Sequence, residues 1–143
     1  MKKHGLLWGL MLWVTLCLAA SGATRLTVSS EGAITDTKTG LEWVVGPDRD
    51  ITYADAEKWV AACKVAEGGW RMPTWKELQA LYQQGLGKRN MDPAFATTGW
   101  WVWAEPRDTV TAWHFRFLDA IEDFYRRDKS DDFRVFGVRS RSK

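Results

Sequence analysis

The sequence predicts an α+β domain in which two short helices pack on a mainly antiparallel, twisted sheet. Two helix-start signals, each followed by apolar residues at helical spacing, lie in the first half of the chain. Segments that alternate between apolar and polar residues, rich in aromatic side chains, lie on both sides of this helical part. Because the helices follow one another instead of alternating with strands, the order favours α+β over a parallel βαβ fold.

The first 23 residues are typical of a secretory signal peptide. Two lysines precede an apolar run over residues 6–20, and the small residues Ser21 and Ala23 fit the rule for signal-peptidase cleavage. We therefore expect a single exported domain over residues 24–143, in the periplasm or outside the cell. Contact with the membrane is expected only through an uncleaved N-terminal segment, because the apolar run is shorter than the ~20 residues of a spanning helix.

The charge of the mature domain is balanced but unevenly distributed. Processing would remove two of the 20 basic residues and leave 18, against 18 acidic residues. Residues 124–143, here called the basic strip, carry seven basic and three acidic side chains. We interpret this strip as a solvated edge or, alternatively, as a surface for an anionic partner. No nucleic-acid partner is expected.

The first strands are predicted between residues 34 and 45. Ile34 leads into a polar turn at residues 36–40, and Leu41, Trp43 and Val45 then follow at alternate positions. A Gly-Pro pair directly afterwards ends the strand.

Two helices are predicted from their capping residues. Thr52 with Asp55 resembles a capping box, and Thr74 with Glu77 forms a complete one. Apolar residues follow each start at helical spacing. They are Ala56, Trp59, Val60 and Cys63 in the first helix, and Trp75, Leu78, Leu81 and Tyr82 in the second.

Cys63 is the only cysteine outside the predicted signal peptide, so no internal disulfide is expected. Its place on the apolar face of the first helix favours burial as a small hydrophobic residue over pairing between chains.

The second half of the chain predicts further strands. Residues 100–103 are almost entirely aromatic and read as a strand that Pro106 stops. Residues 112–117 alternate, with His114 and Arg116 on the more polar face. We expect this strand to pair antiparallel with a closing strand at residues 133–138, across the charged stretch between them.

Several short motifs resemble the Lcl C-terminal-type domain, a family of largely unknown function named after a bacterial collagen-like adhesin. The resemblance runs from about Gly32 to Arg141. Its most specific part is Trp-Arg-Met-Pro-Thr at residues 70–74, followed by Glu-Leu at residues 77–78. The segment 36–43, the helix that ends in Cys63, Trp101, the Trp-His-Phe at residues 113–115 and the closing Val-Arg also match.

This resemblance implies a fold similar to C-type lectins and to the formylglycine-generating-enzyme group, and an exported or surface location. It also implies binding of sulfated polysaccharides, which is associated with the namesake domain. The family commonly joins its helix cysteine to a cysteine in the closing strand. Residues 136–139 carry no thiol here, so that linkage is absent.

Arg71 in the Trp-Arg motif has two interpretations. A guanidinium held beside an indole can bind an anion through two hydrogen bonds. Alternatively, it ties loop carbonyls or an acidic side chain such as Asp36 together at the helix start. We favour the second, because a motif that defines a fold family usually carries architecture.

Catalytic, metal and cofactor sites are not expected. His114 and Cys63, the only histidine and thiol outside the signal peptide, lie on faces of different character and do not suggest a nucleophile pair. The chain lacks a set of zinc ligands. The Glu-Pro-Arg at residues 105–107 does not match the calcium site of lectins, because Arg107 cannot ligate a cation.

The tryptophans point to a binding role. Trp100 and Trp101 are adjacent and cannot both point inward from a strand, so one indole is expected at the surface, where it can stack on a sugar or anchor a protein. The sequence therefore predicts a non-catalytic domain that binds a glycan, such as a polysaccharide, or another envelope component. The alternative is a structural or protein-interaction subunit of an envelope assembly. The candidate ligand-binding residues are Trp100, Trp101, Trp103, Glu105, Arg107, His114, Arg116, Arg134, Arg139 and Arg141.

Overall fold

The computed structural model describes residues 24–141, which contain eight strands and two α-helices. The predicted signal peptide lies outside the described residues. The helices are α1 (Tyr53–Ala62) and α2 (Trp75–Gln79). The strands are β1 (Leu26–Val28), β2 (Ile34–Asp36), β3 (Leu41–Val45), β4 (Trp101–Pro106), β5 (Thr111–Arg116), β6 (Ile121–Arg126), β7 (Phe133–Arg134) and β8 (Phe136–Ser140). In this part of the chain no helix has the length and apolar character needed to cross a bilayer.

The strands form two four-stranded sheets, in the orders β1-β2-β3-β8 and β6-β5-β4-β7. All neighbours are antiparallel except β4 and β7, which run parallel. The extended segment 133–140 contributes β7 to one sheet and β8 to the other, with the fully buried Val135 between them. This segment therefore joins the sheets, and two helices with mostly antiparallel sheets make the domain α+β.

The pairing of β5 differs from the expectation. β5 lies between β4 and β6, while β8 pairs antiparallel with β3. The charged stretch that was expected to connect two strands is itself β6, an edge strand that is exposed at every position. A strand with two solvated faces has no apolar and polar faces to tell apart, so it lacks the alternation that marks a half-buried strand. The short strand β1 was not predicted either.

The predicted helix starts are confirmed. The Thr52 hydroxyl accepts a hydrogen bond from the Asp55 amide at 3.3 Å. The Thr74 hydroxyl accepts from the Glu77 amide at 3.1 Å, and the Glu77 carboxylate accepts from the Thr74 amide at 2.8 Å. α2 is shorter than expected, because the chain continues after it in tighter turns: the Leu81 amide donates to the carbonyl three residues earlier at 3.0 Å.

The core consists of two clusters, and each combines residues from both sheets. Trp43, Leu78 and Phe115 belong to the cluster on the α2 side. The cluster on the α1 side includes Tyr53, Trp70, Trp103 and Phe133. Neighbouring residues on one strand thus face opposite clusters, and the central strands are covered on both faces. Cys63 lies at the margin of the second cluster and is only half-buried, less than expected.

Candidate binding site

The candidate site lies on one face of the sheet β6-β5-β4-β7. In one row Trp101 on β4 lies opposite Arg116 on β5. In the next row His114 on β5 lies between Trp103 on β4 and Asp123 on β6. Because alternate residues of a strand point to the same face, these five side chains share one side of the sheet.

An open pocket of about 160 Å³ lies on this face. It combines three aromatic rings with two carboxylates, one guanidinium and one imidazole. Its lining, here called the His114 pocket, is Trp101, His114, Arg116, Asp123, Tyr125, Asp131 and Phe133. Three of the predicted site residues, Trp101, His114 and Arg116, therefore come together in one place.

His114 forms the most buried polar part of the pocket, with 7 % of its surface exposed. Its ring packs at steep angles against Phe133, at 5.0 Å between ring centroids, and against Trp103, at 6.3 Å. This burial lowers the pKa of His114 to about 4, although the nearby charge of Asp123 acts in the opposite direction. The imidazole is therefore neutral at pH 7, and its Nδ1 has no hydrogen-bond partner among residues 24–141.

The acidic groups of the pocket are not neutralised. The Arg116 guanidinium binds the Asp119 carboxylate through two hydrogen bonds, of 2.7 Å and 2.5 Å. Asp123 accepts only from the amide of the next residue, at 2.8 Å, and Asp131 has no hydrogen bond or ion pair through its side chain within the described part of the chain. No group of three histidine, cysteine or acidic side chains in that part is close enough to hold a metal ion.

The aromatic rings form the walls of the pocket. Phe133 is buried and lies 5.8 Å from the Trp101 ring and 5.3 Å from the Tyr125 ring, measured between centroids. Trp101 is half-buried, and Tyr125 is 38 % exposed. Two rings with accessible surface therefore flank a third that holds them in place.

Comparison with known proteins gives a family. The sequence profile of the Lcl C-terminal domain matches residues 32–139, which is most of the chain. The chain belongs to the Lcl C-terminal domain family. No curated protein matches it.

Two of the predicted site residues have structural roles in this Lcl C-terminal domain. Trp103 is fully buried, stacks on Phe133 with 4.1 Å between centroids, and donates through its indole N–H to the Ile51 carbonyl at 2.8 Å. The Glu105 carboxylate accepts from the Trp75 amide at the start of α2, at 2.6 Å. Trp103 has no exposed ring face for a ligand, contrary to expectation, and Glu105 serves a helix terminus.

Both members of the Trp100-Trp101 pair are less exposed than expected, although Trp101 keeps accessible surface in the pocket. Both are half-buried, Trp100 against the cluster on the α2 side and Trp101 against the cluster on the α1 side. The Arg89 guanidinium covers the Trp100 ring at 4.5 Å. The two indoles therefore lie on opposite faces, as adjacent residues of an extended chain do. Each one packs against the core cluster on its own face.

Arg107 lies away from the His114 pocket. Its guanidinium sits 4.0 Å above the Phe124 ring and pairs with Asp108 at 3.1 Å. Phe124 lies opposite Trp113, in the alternate register to the pocket residues of β6, and so projects from the other face of the sheet.

Two arginines of the basic strip, Arg134 and Arg139, are held by partners within the domain and do not form an accessible cationic surface. Arg134 is 6 % exposed and binds Asp48 at 2.8 Å and Asp132 at 2.7 Å. These partners hold its charge inside the domain, and the Arg134 hydrogen bond lowers the pKa of Asp48 to about 2. Arg141 is exposed at the end of the described chain.

Arg139 is equally engaged. Its guanidinium lies 4.2 Å from the Trp70 ring, donates to the Glu42 carboxylate at 2.7 Å, and donates to the carbonyls of Ala66 and Gly68. We call this group the Arg139 cluster.

The Trp-Arg motif is architectural. Arg71 binds both oxygens of Glu77 at 2.8 Å, and its backbone pairs with Val138 in β8. The suggested partner Asp36 instead binds Arg25, at 2.9 and 2.8 Å. The motif therefore ties the start of α2 to the closing strand.

A second pocket, of about 400 Å³, lies within the segment 87–97. The segment shows no periodicity, so the sequence did not indicate it. Its Arg89 donates to the Thr98 carbonyl at 2.8 Å, and Asp92 accepts from the Ala94 amide at 2.9 Å. These engaged side chains leave a mainly apolar lining.

Sequence reasoning missed four residues of the His114 pocket: Asp123, Tyr125, Asp131 and Phe133. Asp123 and Tyr125 are two positions apart, so they would have been placed on one face if residues 121–126 had been recognised as a strand. Asp131 lies in the turn before β7, and no local pattern indicates that it meets the sheet.

Proposed function

We propose that this Lcl C-terminal domain is a non-catalytic, exported binding domain that recognises a glycan or another envelope component in the His114 pocket. One observation carries the proposal. The pocket brings together aromatic rings and polar groups whose hydrogen-bonding capacity the protein itself does not use. Pockets of this composition, apolar walls with a few convergent polar groups, are typical of ligand sites.

The chemistry of the pocket suits a sugar. Trp101 and Tyr125 offer flat, partly accessible rings on which an apolar sugar face can stack. The carboxylates of Asp123 and Asp131 can accept hydrogen bonds from hydroxyl or amino groups. The neutral imidazole of His114 forms a buried wall of the pocket and adds no charge to it.

The size of the pocket limits what it can enclose. Its volume of about 160 Å³ is well below that of pockets that enclose whole drug-sized ligands, about 300–1,000 Å³. We therefore propose that one residue of a longer ligand enters the pocket while its neighbours lie along the open sheet face.

A binding role is favoured over a catalytic one by the pocket lining. No serine, threonine, cysteine or lysine is among the residues that line it, so His114 has no obvious nucleophile to activate. The carboxylates lie beside aromatic rings and a paired arginine, an arrangement that suits recognition.

We also propose that the fold is C-type-lectin-like and that residues 24–143 are the mature domain. The joining of two mostly antiparallel sheets through segment 133–140, with one helix on each side, supports the fold assignment. The family membership supports it as well. Sequencing the N-terminus of the exported protein tests the cleavage site, where a start at Thr24 is expected.

The direct test is a glycan array probed with the exported protein and two matched variants. Trp101→Ala removes a wall of the pocket and should reduce binding at least about tenfold. Trp100→Ala removes the adjacent indole on the other face and should leave binding unchanged. Circular dichroism checks that both variants fold. Equal losses in both variants would overturn the proposed pocket, and no glycan bound by the unaltered protein would overturn the glycan role.

A second candidate function is supported by the edge strand β6. Ile121, Phe124 and Tyr125 are exposed apolar side chains on a strand with one unpaired edge, which favours pairing with a strand of another protein. Phe124 and Tyr125 point to opposite faces, so substitutions separate the candidates. Tyr125→Ser should weaken ligand binding in the pocket, whereas Phe124→Ser should weaken only a partner that covers β6.

A further inference from the structure

Resting on the proposed function, we infer that the His114 pocket takes a protonated amino group, so that its ligand is a glycan carrying a free amine. The group that enters the pocket would therefore carry a positive charge. This charge is opposite to that of the sulfated ligand that the family resemblance implied.

The charged side chains that line the pocket are mostly acidic. Asp123 and Asp131 both line it, and among residues 24–141 no lysine or arginine forms an ion pair with either carboxylate. The one guanidinium in the lining, that of Arg116, is already held by both oxygens of Asp119. The lining thus carries two carboxylates without an ion pair and one arginine that Asp119 already neutralises, and this local charge favours a cation.

The arginines near the pocket have partners elsewhere. Arg126 binds Asp128 at 2.8 Å, Arg127 binds Glu57 at 3.1 Å, and Arg134 is held by Asp48 and Asp132. Each of these three arginines forms an ion pair with an acidic residue outside the pocket lining, so none of the three neutralises the pocket carboxylates. A ligand cation would provide the missing charge.

The aromatic rings of the pocket also favour a cation. A ring face attracts cations through its quadrupole. Elsewhere in the domain four rings each hold an arginine at 4.0–4.6 Å. These stacked pairs are Arg89 on Trp100, Arg107 on Phe124, Arg127 on Tyr53 and Arg139 on Trp70. Within the described residues no lysine or arginine stacks on Trp101 or Tyr125, so these two partly accessible rings remain available to a cation from outside.

His114 is a buried and neutral part of the pocket wall. The side chain is more than nine-tenths buried, lines the pocket and has no hydrogen-bond partner at Nδ1. Nδ1 itself is covered by the protein, so the imidazole contributes to the pocket as a wall and not through this atom. Because the buried ring is neutral at pH 7, it adds no positive charge that would repel an ammonium group.

An anionic group fits the same pocket poorly. A sulfate would face the carboxylates of Asp123 and Asp131 and the negative faces of the rings. Its only cationic partner in the lining would be Arg116, which would have to release Asp119. The observations therefore favour a sugar that stacks on the rings and places an ammonium group between the carboxylates.

Two oligosaccharides that differ only in charge test the inference. We would use a β-1,4-linked tetramer of glucosamine and its fully N-acetylated counterpart, titrated into the exported protein at pH 6 and followed by calorimetry and by the indole NMR signal of Trp101. The free amine should bind about tenfold more tightly, as expected from a cation–π contact and two partly exposed ion pairs.

Matched variants locate the effect. Asp123→Asn and Asp131→Asn should each reduce the preference for the free amine by about threefold or more, because each removes one charge facing the ligand. Asp128→Asn, which removes a nearby carboxylate that Arg126 already neutralises, should leave the preference unchanged. Thermal unfolding of each variant checks that the fold is retained.

The outcomes separate this inference from the proposed function. If the acetylated tetramer or a sulfated oligosaccharide binds equally well or better, and Trp101→Ala weakens that binding, the glycan role stands and the cationic ligand is overturned. If no oligosaccharide binds but tetramethylammonium shifts the Trp101 signal, the pocket takes a cation and the glycan role is overturned. If neither probe binds, both are overturned.

Discussion

The Arg139 cluster and the His114 pocket are built from the same kinds of side chain but differ in how far their polar groups are satisfied. In the cluster, Arg139 is held by a carboxylate, two carbonyls and an indole face, all within the protein. In the pocket, Asp123, Asp131 and the Nδ1 of His114 lack such partners among the described residues. The arginine of the cluster therefore serves architecture, whereas the pocket carboxylates, which are exposed and lack a partner there, remain open to a ligand.

The difference also separates the family motif from the candidate site. Trp70 and Arg71 of the motif and the closing Arg139 all participate in contacts between α2, the turn after α1 and β8. None of them lines the His114 pocket. The Trp-Arg motif thus marks the framework, while the pocket combines Trp101 and His114, which belong to the aromatic strands of the resemblance, with residues outside every motif.

The largest expected effect is loss of stability when the Arg139 cluster is broken. Arg139→Ala leaves the partly buried Glu42 without its partner and should lower the free energy of unfolding by about 3 kcal/mol. Arg139→Lys should recover less than half, because an ammonium cannot reproduce the planar guanidinium fork. Urea unfolding measures both.

Arg141→Ala is the matched control for this prediction. Arg141 lies two residues further on and is exposed, so its removal should change stability by less than about 0.5 kcal/mol. If Arg139→Ala kept full stability and lost ligand binding, the distinction between cluster and pocket would be wrong and the basic strip would be functional.

A somewhat smaller effect is expected from pH. Burial lowers the pKa of His114 from 6.5 to about 4, so between pH 7.5 and pH 5.0 the unfolded chain gains a proton that the folded domain does not. Stability should therefore fall by about 2 kcal/mol as the pH drops through this range. The measurement is urea unfolding at both pH values.

His114→Phe should remove most of this pH dependence, because phenylalanine cannot be protonated. The carboxyls of Asp36, Asp48 and Glu77, whose pKa values are lowered by their partners, do not compete in this range. Their contribution is present above their unfolded pKa of about 4 and is lost only below it. An unchanged slope in the variant would show that His114 is not the titrating group.

The smallest expected effect distinguishes the acids of the two regions. Asp131→Asn should change the free energy of unfolding by less than about 0.5 kcal/mol, because the carboxylate has no partner in the described chain to lose. Glu42→Gln, which removes the charge opposite Arg139, should cost about 1–2 kcal/mol. Similar costs for both would mean that Asp131 has a structural partner and would weaken the case for the pocket.

The parts of the fold that the sequence predicted are those governed by local chemistry. Thr74 and Glu77 form their capping box because both partners lie within one helical turn. The strand β4 follows from a short aromatic run, and the hairpin from Ile34 to Val45 follows from a turn and alternation within a few residues. The Trp-Arg-Met-Pro-Thr motif could also be identified from the sequence, because its residues are close together in the chain.

The candidate site was predicted only in part, for a physical reason. Trp101, His114 and Arg116 were selected from strand patterns, but Asp123 and Tyr125 lie on an edge strand that shows no alternation because both of its faces are solvated. Trp103 follows the same aromatic pattern as Trp101 and differs only in being covered by the rest of the domain. Aromatic character alone does not distinguish a buried ring from an accessible one.

The sequence by itself determined the family, the α+β class, the helix starts and the concentration of aromatic residues in the later strands. Only the tertiary structure decided which charges have partners, because those partners are distant in the chain: Arg139 and Glu42 are 97 positions apart, and Arg134 and Asp48 are 86 apart. A charged residue has the same local pattern whether or not a partner reaches it. The presence or absence of such a partner distinguishes a structural arginine from a carboxylate that remains available to a ligand.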